Sequence, residues 1–190
     1  MFEFIPLSEM SKNKHETGDA DVVRSRGIPE EIAKEAHYRE IRPALEKGDP
    51  SVLHEVNECG ILLQYLPEKL RADHFIVLGA VKNDPHALEF ADKKLRDDFE
   101  IVMAAVEQWG TMLSLASSRL QDNEDIALMA VKSHSYALRD VSSRLQDDES
   151  IVFEAVKRNV NVMEYASKRL RHDKNFLNKV SLLKSKTDDD

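Results

Sequence analysis

The chain has few of the residues that build disulfides, membrane spans or aromatic binding faces. Its 190 residues include one cysteine, Cys59, so an internal disulfide framework is excluded. Aromatic residues make up 6% of the chain and tryptophan occurs once. No apolar run approaches the ~20 residues that a membrane-spanning helix needs. We therefore expect no membrane insertion.

Positive charge is also scarce, since 27 Lys and Arg residues face 35 Asp and Glu residues for a net charge of −8. An acidic protein repels polyanions, which argues against nucleic-acid partners. At the N-terminus Glu3 stands where a signal peptide requires positive charge, and no long apolar run follows it. We therefore expect a soluble protein of a cytoplasm that does not bind nucleic acid.

Signatures of catalysis and ligand binding are missing. The histidine nearest in sequence to Cys59 is His54, about 140° away round a helix, so the two side chains would point apart. The seven histidines show neither i, i+4 pairing nor a repeated phase, so no metal ligands converge. There is no Gly-rich phosphate loop. We predict no catalytic residue, metal or cofactor, with an enzyme that uses Cys59 as the alternative.

A 25-residue repeat dominates what remains. LRDDFEIVMAAVEQWG (95–110) returns as LQDDESIVFEAVKRNV (145–160). Three series of apolar residues recur with this period and without slippage, which marks a repeat architecture. The series are Leu70, Leu95, Leu120, Leu145 and Leu170; Ala80-Val81, Ala105-Val106, Ala130-Val131 and Ala155-Val156; and Leu88, Leu113, Leu138 and Met163.

The pattern within each unit is helical. Ile101, Val102, Ala105 and Val106 form one apolar stripe at helical spacing, and a second stripe follows a short turn. The spacing predicts two helices of about ten residues per unit, and helices that short are marginal alone. Stacking would bury a continuous core. We predict an all-α fold, a short α-solenoid of 25-residue helix-turn-helix repeats with helical caps.

The composition along the chain predicts four regions. Residues 1–26 are expected to be mostly disordered, and 27–45 to form a capping helix that Pro43 bends or ends early. Residues 46–183 form the helical-repeat domain, with five repeats and a C-terminal half-repeat. Residues 184–190 are expected to be a disordered acidic tail.

The repeat resembles a known bacterial family of unknown function. The segments LRDDFEIVMAAVEQWGTMLSLASSRL and LQDDESIVFEAVKRNVNVMEYASKRL are similar to the repeats of the family described as domain of unknown function forty-one sixteen. The resemblance covers residues 46–180. It implies helical repeats and an effector, or a regulator of effectors, in intracellular bacteria with type IV secretion. It implies no catalytic residues.

Two positions depart from the repeat, and we interpret both as candidates for partner binding. Trp109 falls at a turn tip, where it either packs beneath a neighbouring loop or anchors a partner. His134 and Tyr136 would line the same edge one repeat away. Asp140 replaces the aromatic residue or leucine of the second helix. The predicted equivalents of Trp109 in the other units are all polar: Glu58, Asp84, His134 and Asn159.

Basic residues form a further ladder that includes Arg119 and Arg144. These side chains either form a ridge that binds an acidic partner or form surface ion pairs with the aspartates between units. The full ladder is Lys69, Lys94, Arg119, Arg144 and Arg169.

These observations favour a non-catalytic protein–protein interaction module, an effector or an inhibitor of another protein, over two alternatives. One alternative is the enzyme with Cys59. The other is a helical repeat that binds RNA, against which the acidic charge and the absence of a repeated aromatic position argue. We expect the protein in the bacterial cytoplasm, with secretion into a host cell as the fate that the resemblance implies.

Overall fold

Helices dominate the part of the chain that the computed structural model describes, residues 30–187, with side chains described over 37–182. No β-strand occurs in that range, so the predicted all-α solenoid is confirmed. The α-helices are α1 (Glu30–Lys47), α2 (Leu53–Glu58), α3 (Glu68–Arg71), α4 (His74–Asn83), α5 (Phe99–Gln108), α6 (Ser118–Gln121), α7 (Glu124–Ser133), α8 (Glu149–Arg158), α9 (Lys168–His172) and α10 (Lys174–Thr187). The 3₁₀-helices are Pro50–Val52, Gly60–Tyr65, Pro85–Phe90, Leu95–Asp97, Gly110–Leu115, Ser135–Arg139, Leu145–Asp147 and Val160–Tyr165.

Each unit starts with its longest α-helix, continues with a 3₁₀-helix and ends with one further helical turn. Side-chain caps fix where the long helices begin: Asp98, for example, accepts the N–H of Ile101 at 3.1 Å, and Asp73, Asn123 and Asp148 act in the same way. The units, numbered 1 to 5 in chain order, are 48–72, 73–97, 98–122, 123–147 and 148–172.

The second half of each unit differs from the predicted ten-residue helix. In unit 3 the 3₁₀-helix ends at Leu115, and Ala116 is extended with ψ 159°. The next N–H, of Ser117, donates to the carbonyl of Arg96 in unit 2 at 2.9 Å. Because this donor is used between units, the helix cannot continue through it. The Ser117 hydroxyl then caps a new turn by accepting the N–H of Leu120.

The repeated apolar residues form one core. The four Ala-Val pairs are buried, as are Leu88, Leu113 and Leu138. Leu70, Leu95 and Met163 are partly buried and pack against that core. The long helices of consecutive units pack side by side, so each unit buries its apolar stripe against its neighbours.

Gly60 and Gly110 permit close approach between neighbouring units. A Cβ at Gly110 would lie 2.1 Å from the carbonyl oxygen of Ala130, and one at Gly60 would lie 2.2 Å from that of Ala80. Both contacts are to backbone of the following unit. Larger residues would push the units apart.

The two ends depart from the predicted boundaries. Helix α1 contains Pro43 yet continues to Lys47, so the early end predicted at the proline is wrong. Helix α10 continues to Thr187, past the boundary predicted at 184. The predictions for residues 1–26 and for 188–190 lie outside the described residues.

Candidate partner-binding edge

One residue per unit links the long helix to the 3₁₀-helix, and these residues form an edge of the solenoid. Their backbones are extended, with φ of −141° at Trp109 and −139° at His134. The equivalent in unit 1 is Cys59 rather than the predicted Glu58, which is the last residue of α2. The complete row is Cys59, Asp84, Trp109, His134 and Asn159.

Trp109 lies between two histidines while remaining 45% exposed. Its ring centroid is 4.2 Å from that of His134 and 6.3 Å from that of His86. The three rings come from three consecutive units. The indole is therefore both packed between its neighbours and accessible to a partner.

The hydrogen bonds of His134 fix the orientation of its ring. The N–H of Gly110 donates to Nδ1 of His134 at 3.2 Å and also approaches the Ser133 hydroxyl oxygen at 3.2 Å. Since a backbone N–H can only donate, Nδ1 is the acceptor and the neutral ring carries its proton on Nε2. The Nδ1 side of the His134 ring is therefore held by the backbone N–H of Gly110, the residue after Trp109.

Tyr136 extends the row of rings into unit 5. Its side chain is 48% exposed and makes an edge-to-face contact with Tyr165, with centroids 6.5 Å apart. Together with the rings above, these residues define the aromatic edge: His86, Trp109, His134, Tyr136 and Tyr165. Of the predicted binding residues, Trp109 and His134 are in ring contact, and Tyr136 follows His134 by two residues and contacts Tyr165.

Asp140 makes no ring contact with this surface. Its side chain is 13% exposed and Oδ1 lies 3.2 Å from Nε of Arg139. The hydrogen bond to Asp140 raises the pKa of Arg139. Asp140 ends a 3₁₀-helix of five residues where the equivalents in units 2 and 3 have six. Its effect on the repeat is therefore a shortened helix.

Arg119 and Arg144 bind carboxylates of the preceding unit. Nε of Arg119 donates to Asp97 at 2.9 Å, and its Nη2 donates to the Asp97 carbonyl at 2.6 Å. The Ser117 hydroxyl donates to the same carboxylate. The hydrogen bond from Ser117 is the main cause that lowers the pKa of Asp97, and the hydrogen bond from Arg119 is the second. We call this arrangement the Ser-Asp-Arg clasp, and two further copies are Ser142–Asp122–Arg144 and Ser167–Asp147–Arg169.

The clasps favour the ion-pair interpretation of the basic ladder, although Arg119 and Arg144 stay 64% and 55% exposed. The junction between units 1 and 2 has no clasp. Ala72 replaces the aspartate there, and Lys94 replaces the arginine. Within residues 37–182, Lys94 makes no ion pair.

Cys59 is half-buried, and its side chain forms a hydrogen bond with the side chain of Tyr38 in α1. Burial, followed by the hydrogen bond to Cys59, raises the pKa of Tyr38. The nearby histidines pair instead with Glu55, His37 at 3.4 Å and His54 at 3.2 Å. The described contacts therefore include no histidine that could activate the thiol.

The residues that the structure describes include no group of His, Cys, Asp or Glu that could bind a metal ion. Among its helices, none combines the length and hydrophobicity needed to cross a membrane.

Sequence reasoning missed a second exposed aromatic pair. Phe75 is 82% exposed and Phe99 is 44% exposed, each in the first turn of a long helix. A signal was present in the sequence, because polar residues stand at the position of Phe75 in later units. They are Glu100, Asp125, Ser150 and Asn175.

Comparison with known proteins identifies the repeat. The model of the family described as Domain of unknown function (DUF4116) matches residues 56–96, 76–121, 98–146, 123–171 and 148–180. The match to 98–146 spans units 3 and 4, so the family pattern extends over two consecutive units. No curated protein and no solved structure matches the chain. Because the matches together run from residue 56 to residue 180, the chain belongs to the DUF4116 repeat family.

Proposed function

We propose that the chain is a non-catalytic protein-binding module whose aromatic edge binds a partner protein. The observation that carries this proposal is Trp109, which is 45% exposed in the middle of a row of rings from four units. Tryptophan and tyrosine dominate the energetics of protein interfaces. Trp109 and Tyr136 are about half exposed, which suits a protein partner better than a small molecule, because small molecules bind in enclosing pockets.

The rigidity of the edge supports the proposal. The close approach at Gly110 fixes the backbone beside Trp109, and the ring of His134 is held through Nδ1. A side chain that is already ordered loses little conformational entropy on binding. The Trp109 and His134 side chains of the aromatic edge are therefore already ordered before a partner binds.

We further propose that the module acts as an effector or as a regulator of another protein in an intracellular bacterium. The family description assigns no activity, so this role rests on the resemblance of the repeats to those found in proteins of intracellular bacteria with type IV secretion. Export is tested by fusing the chain to a translocation reporter in a secreting bacterium. Retention of the fusion in the bacterial cytoplasm would contradict an exported effector.

Trp109→Ala tests the proposal, because truncation of an interface tryptophan often costs ≥ ~2 kcal/mol of binding. Partners are first captured from bacterial and host lysates, and affinities are then measured by titration with the purified chain. We expect Trp109→Ala to weaken binding at least ~10-fold with little change in Tm. As the single tryptophan, Trp109 also reports binding directly through its fluorescence.

Phe75→Ala is the matched control, because it removes an exposed aromatic ring from a different edge. It should leave the affinity unchanged. Unaltered binding of every captured partner by Trp109→Ala would refute the role of the aromatic edge. Unfolding of that variant would instead assign Trp109 to packing.

A further inference from the structure

Helix α1 runs along the second half of unit 1, and its contacts show in which direction. Tyr38 forms a hydrogen bond with Cys59, the residue that precedes that half. Further along α1, the guanidinium of Arg42 lies 4.6 Å from the ring centroid of Tyr65, where the 3₁₀-helix ends. The helix ends at Lys47, immediately before unit 1 begins. Helix α1 therefore ends at the edge where the units begin, and its earlier residues lie at the edge of Cys59.

The start of α1 brings the preceding chain to the row of residues that contains Trp109. Residues 30–37 precede Tyr38 in the helix, and they extend ~12 Å past the level of Cys59. At ~8–10 Å per packed unit, Trp109 lies roughly 16–20 Å from Cys59, its equivalent two units away. About six extended residues cover that distance. Residues 1–29 thus join the described chain beside the edge of Trp109, whereas Phe75 lies at the other edge.

The apolar residues of 1–29 are concentrated in MFEFIPLSEM (1–10), which we call the N-terminal segment. The segment has two acidic residues, Glu3 and Glu9, and no basic one. Residues 11–29 separate it from α1 and can span up to ~60 Å. The N-terminal segment can therefore reach Trp109 and the units beyond it. Its large apolar side chains are Phe2, Phe4, Ile5 and Leu7.

The edge from Trp109 onwards has the complementary chemistry. Trp109, Tyr136 and Val160 are 45%, 48% and 39% exposed in three consecutive units. The last turns of α7 and α8 lead into this edge and contain basic residues but no acidic ones. Lys132 and Lys157 in these turns are exposed and form no ion pair within residues 37–182. An apolar and acidic segment suits such a surface.

The acidic residues of the same edge lie on the other side of Trp109. Asp84 is paired with His86 at 2.9 Å. Glu58 and Glu107 stand in the last turns of α2 and α5. Positive charge at the edge thus begins after Trp109 and continues through units 4 and 5, which gives the binding surface a direction.

We propose that the N-terminal segment binds the aromatic edge of its own chain, from Trp109 towards Val160, and competes with the partner protein for it. This inference rests on the proposed function of the edge as a binding surface. A covalent tether of this length gives an effective concentration of about 1 mM, so a weak contact is enough to keep the edge covered. The partner then binds only by displacing the segment, and the chain is autoinhibited.

Quenching of fluorescence by acrylamide tests the contact in the full chain, because Trp109 is the single tryptophan. Phe2→Ser with Phe4→Ser should raise the quenching constant at least ~1.5-fold, since the segment then no longer covers the indole. Val22→Ser with Val23→Ser is the matched control, because it removes two apolar side chains between the segment and α1. The control should leave the quenching constant unchanged, and both double variants should keep the wild-type Tm.

A peptide of residues 1–10 should restore the wild-type quenching constant when it is added to the Phe2, Phe4 double variant at about 1 mM. The same peptide with serine at both phenylalanine positions should have no effect. Because the contact lies within one chain, the wild type should be protected equally at about 2 and about 100 µM. Protection that grows with protein concentration would overturn the proposal in favour of a second copy as the source of the segment.

Equal quenching of the wild type and the Phe2, Phe4 double variant would also overturn the proposal, as would an equal effect of the valine control. With a captured partner, the Phe2, Phe4 double variant should bind at least ~3-fold more tightly than the wild type, because nothing has to be displaced. The quenching experiment needs no partner, whereas Trp109→Ala tests the edge against one. A failure of autoinhibition is therefore distinguishable from a failure of the aromatic edge as a binding surface.

Discussion

Single residues determine how closely the units pack and where the surface exposes aromatic side chains. Trp109 and Phe75 occupy positions that later units fill with polar side chains, so these departures from the repeat could be predicted from the sequence. The ring contact between Trp109 and His134 could not, because it depends on the relative placement of two units. The equivalent in unit 1, Cys59, does follow from the 25-residue period, because it lies 25 residues before Asp84; the predicted Glu58 is one residue out of phase.

Gly110→Ala should destabilise the fold by about 1–3 kcal/mol, because the new Cβ would meet the backbone carbonyl of Ala130, which cannot move without shifting a unit. Gly79→Ala is the control. Its Cβ would meet only the side-chain amide of Asn57, and it would gain helix propensity within α4. Equilibrium unfolding in urea compares the two, and equal effects would contradict the close approach at Gly110.

At the scale of elements, the apolar stripes predicted the long helices well. Asp98 and Asp148 cap two of these helices, whereas Asp97, Asp122 and Asp147 belong to the clasps. The second half of the unit was not predictable, because the main-chain bond from Ser117 to Arg96 crosses between units and leaves no mark in local sequence. The ion pairs of the clasp could be predicted, because arginines and aspartates recur every 25 residues in the sequence. The serine that bonds the same aspartate was not predicted.

Removing the clasp carboxylates should make stability depend less on pH. Hydrogen bonds from the serines and arginines lower the pKa of Asp97, Asp122 and Asp147 below the ordinary 3.8. A carboxylate with a lowered pKa in the folded state stabilises it above pH ~4, and that contribution is lost as the pH falls through the lowered value. The triple Asp→Asn variant should therefore melt at a lower temperature than the wild type at pH 7.

The two melting curves should converge as the pH falls below the lowered pKa values, where the wild-type carboxylates are protonated as well. Glu164→Gln, which alters an exposed carboxylate outside the clasps, serves as the control and should leave Tm unchanged at both pH values. A difference between wild type and triple variant that persists unchanged at low pH would show that packing rather than charge holds the clasp.

For the molecule as a whole, the 25-residue period was enough to predict the architecture. What it could not predict is the arrangement of surfaces, because every unit has the same core and differs only in what it exposes. The exposed Phe75 and Phe99 lie at the start of the long helices, and Trp109 lies at their end, so one stack exposes aromatic side chains at two different edges.

Truncation inside the stack should expose core. A fragment ending at Leu120 would lose α7, against which α5 buries Val102 and Val106. We expect residues 1–120 to aggregate at concentrations where the full chain does not, as light scattering would detect. A monodisperse fragment with full helical content by circular dichroism would argue against a core shared between units.

The missing clasp at Ala72 also makes the stack uneven along its length. Units 2 to 5 are joined by a serine, an aspartate and an arginine at each boundary. Unit 1 instead meets unit 2 through the main-chain bond from Asp92 to Arg71, the bond from the Gly60 N–H to Asn83 Oδ1, and apolar packing. A chain pulled from its N-terminus, as during passage through a narrow pore, would part first at this boundary. Unit 1 would come away with α1, and the four clasped units would resist as a block. The sequence thus sets the order in which the stack yields to force.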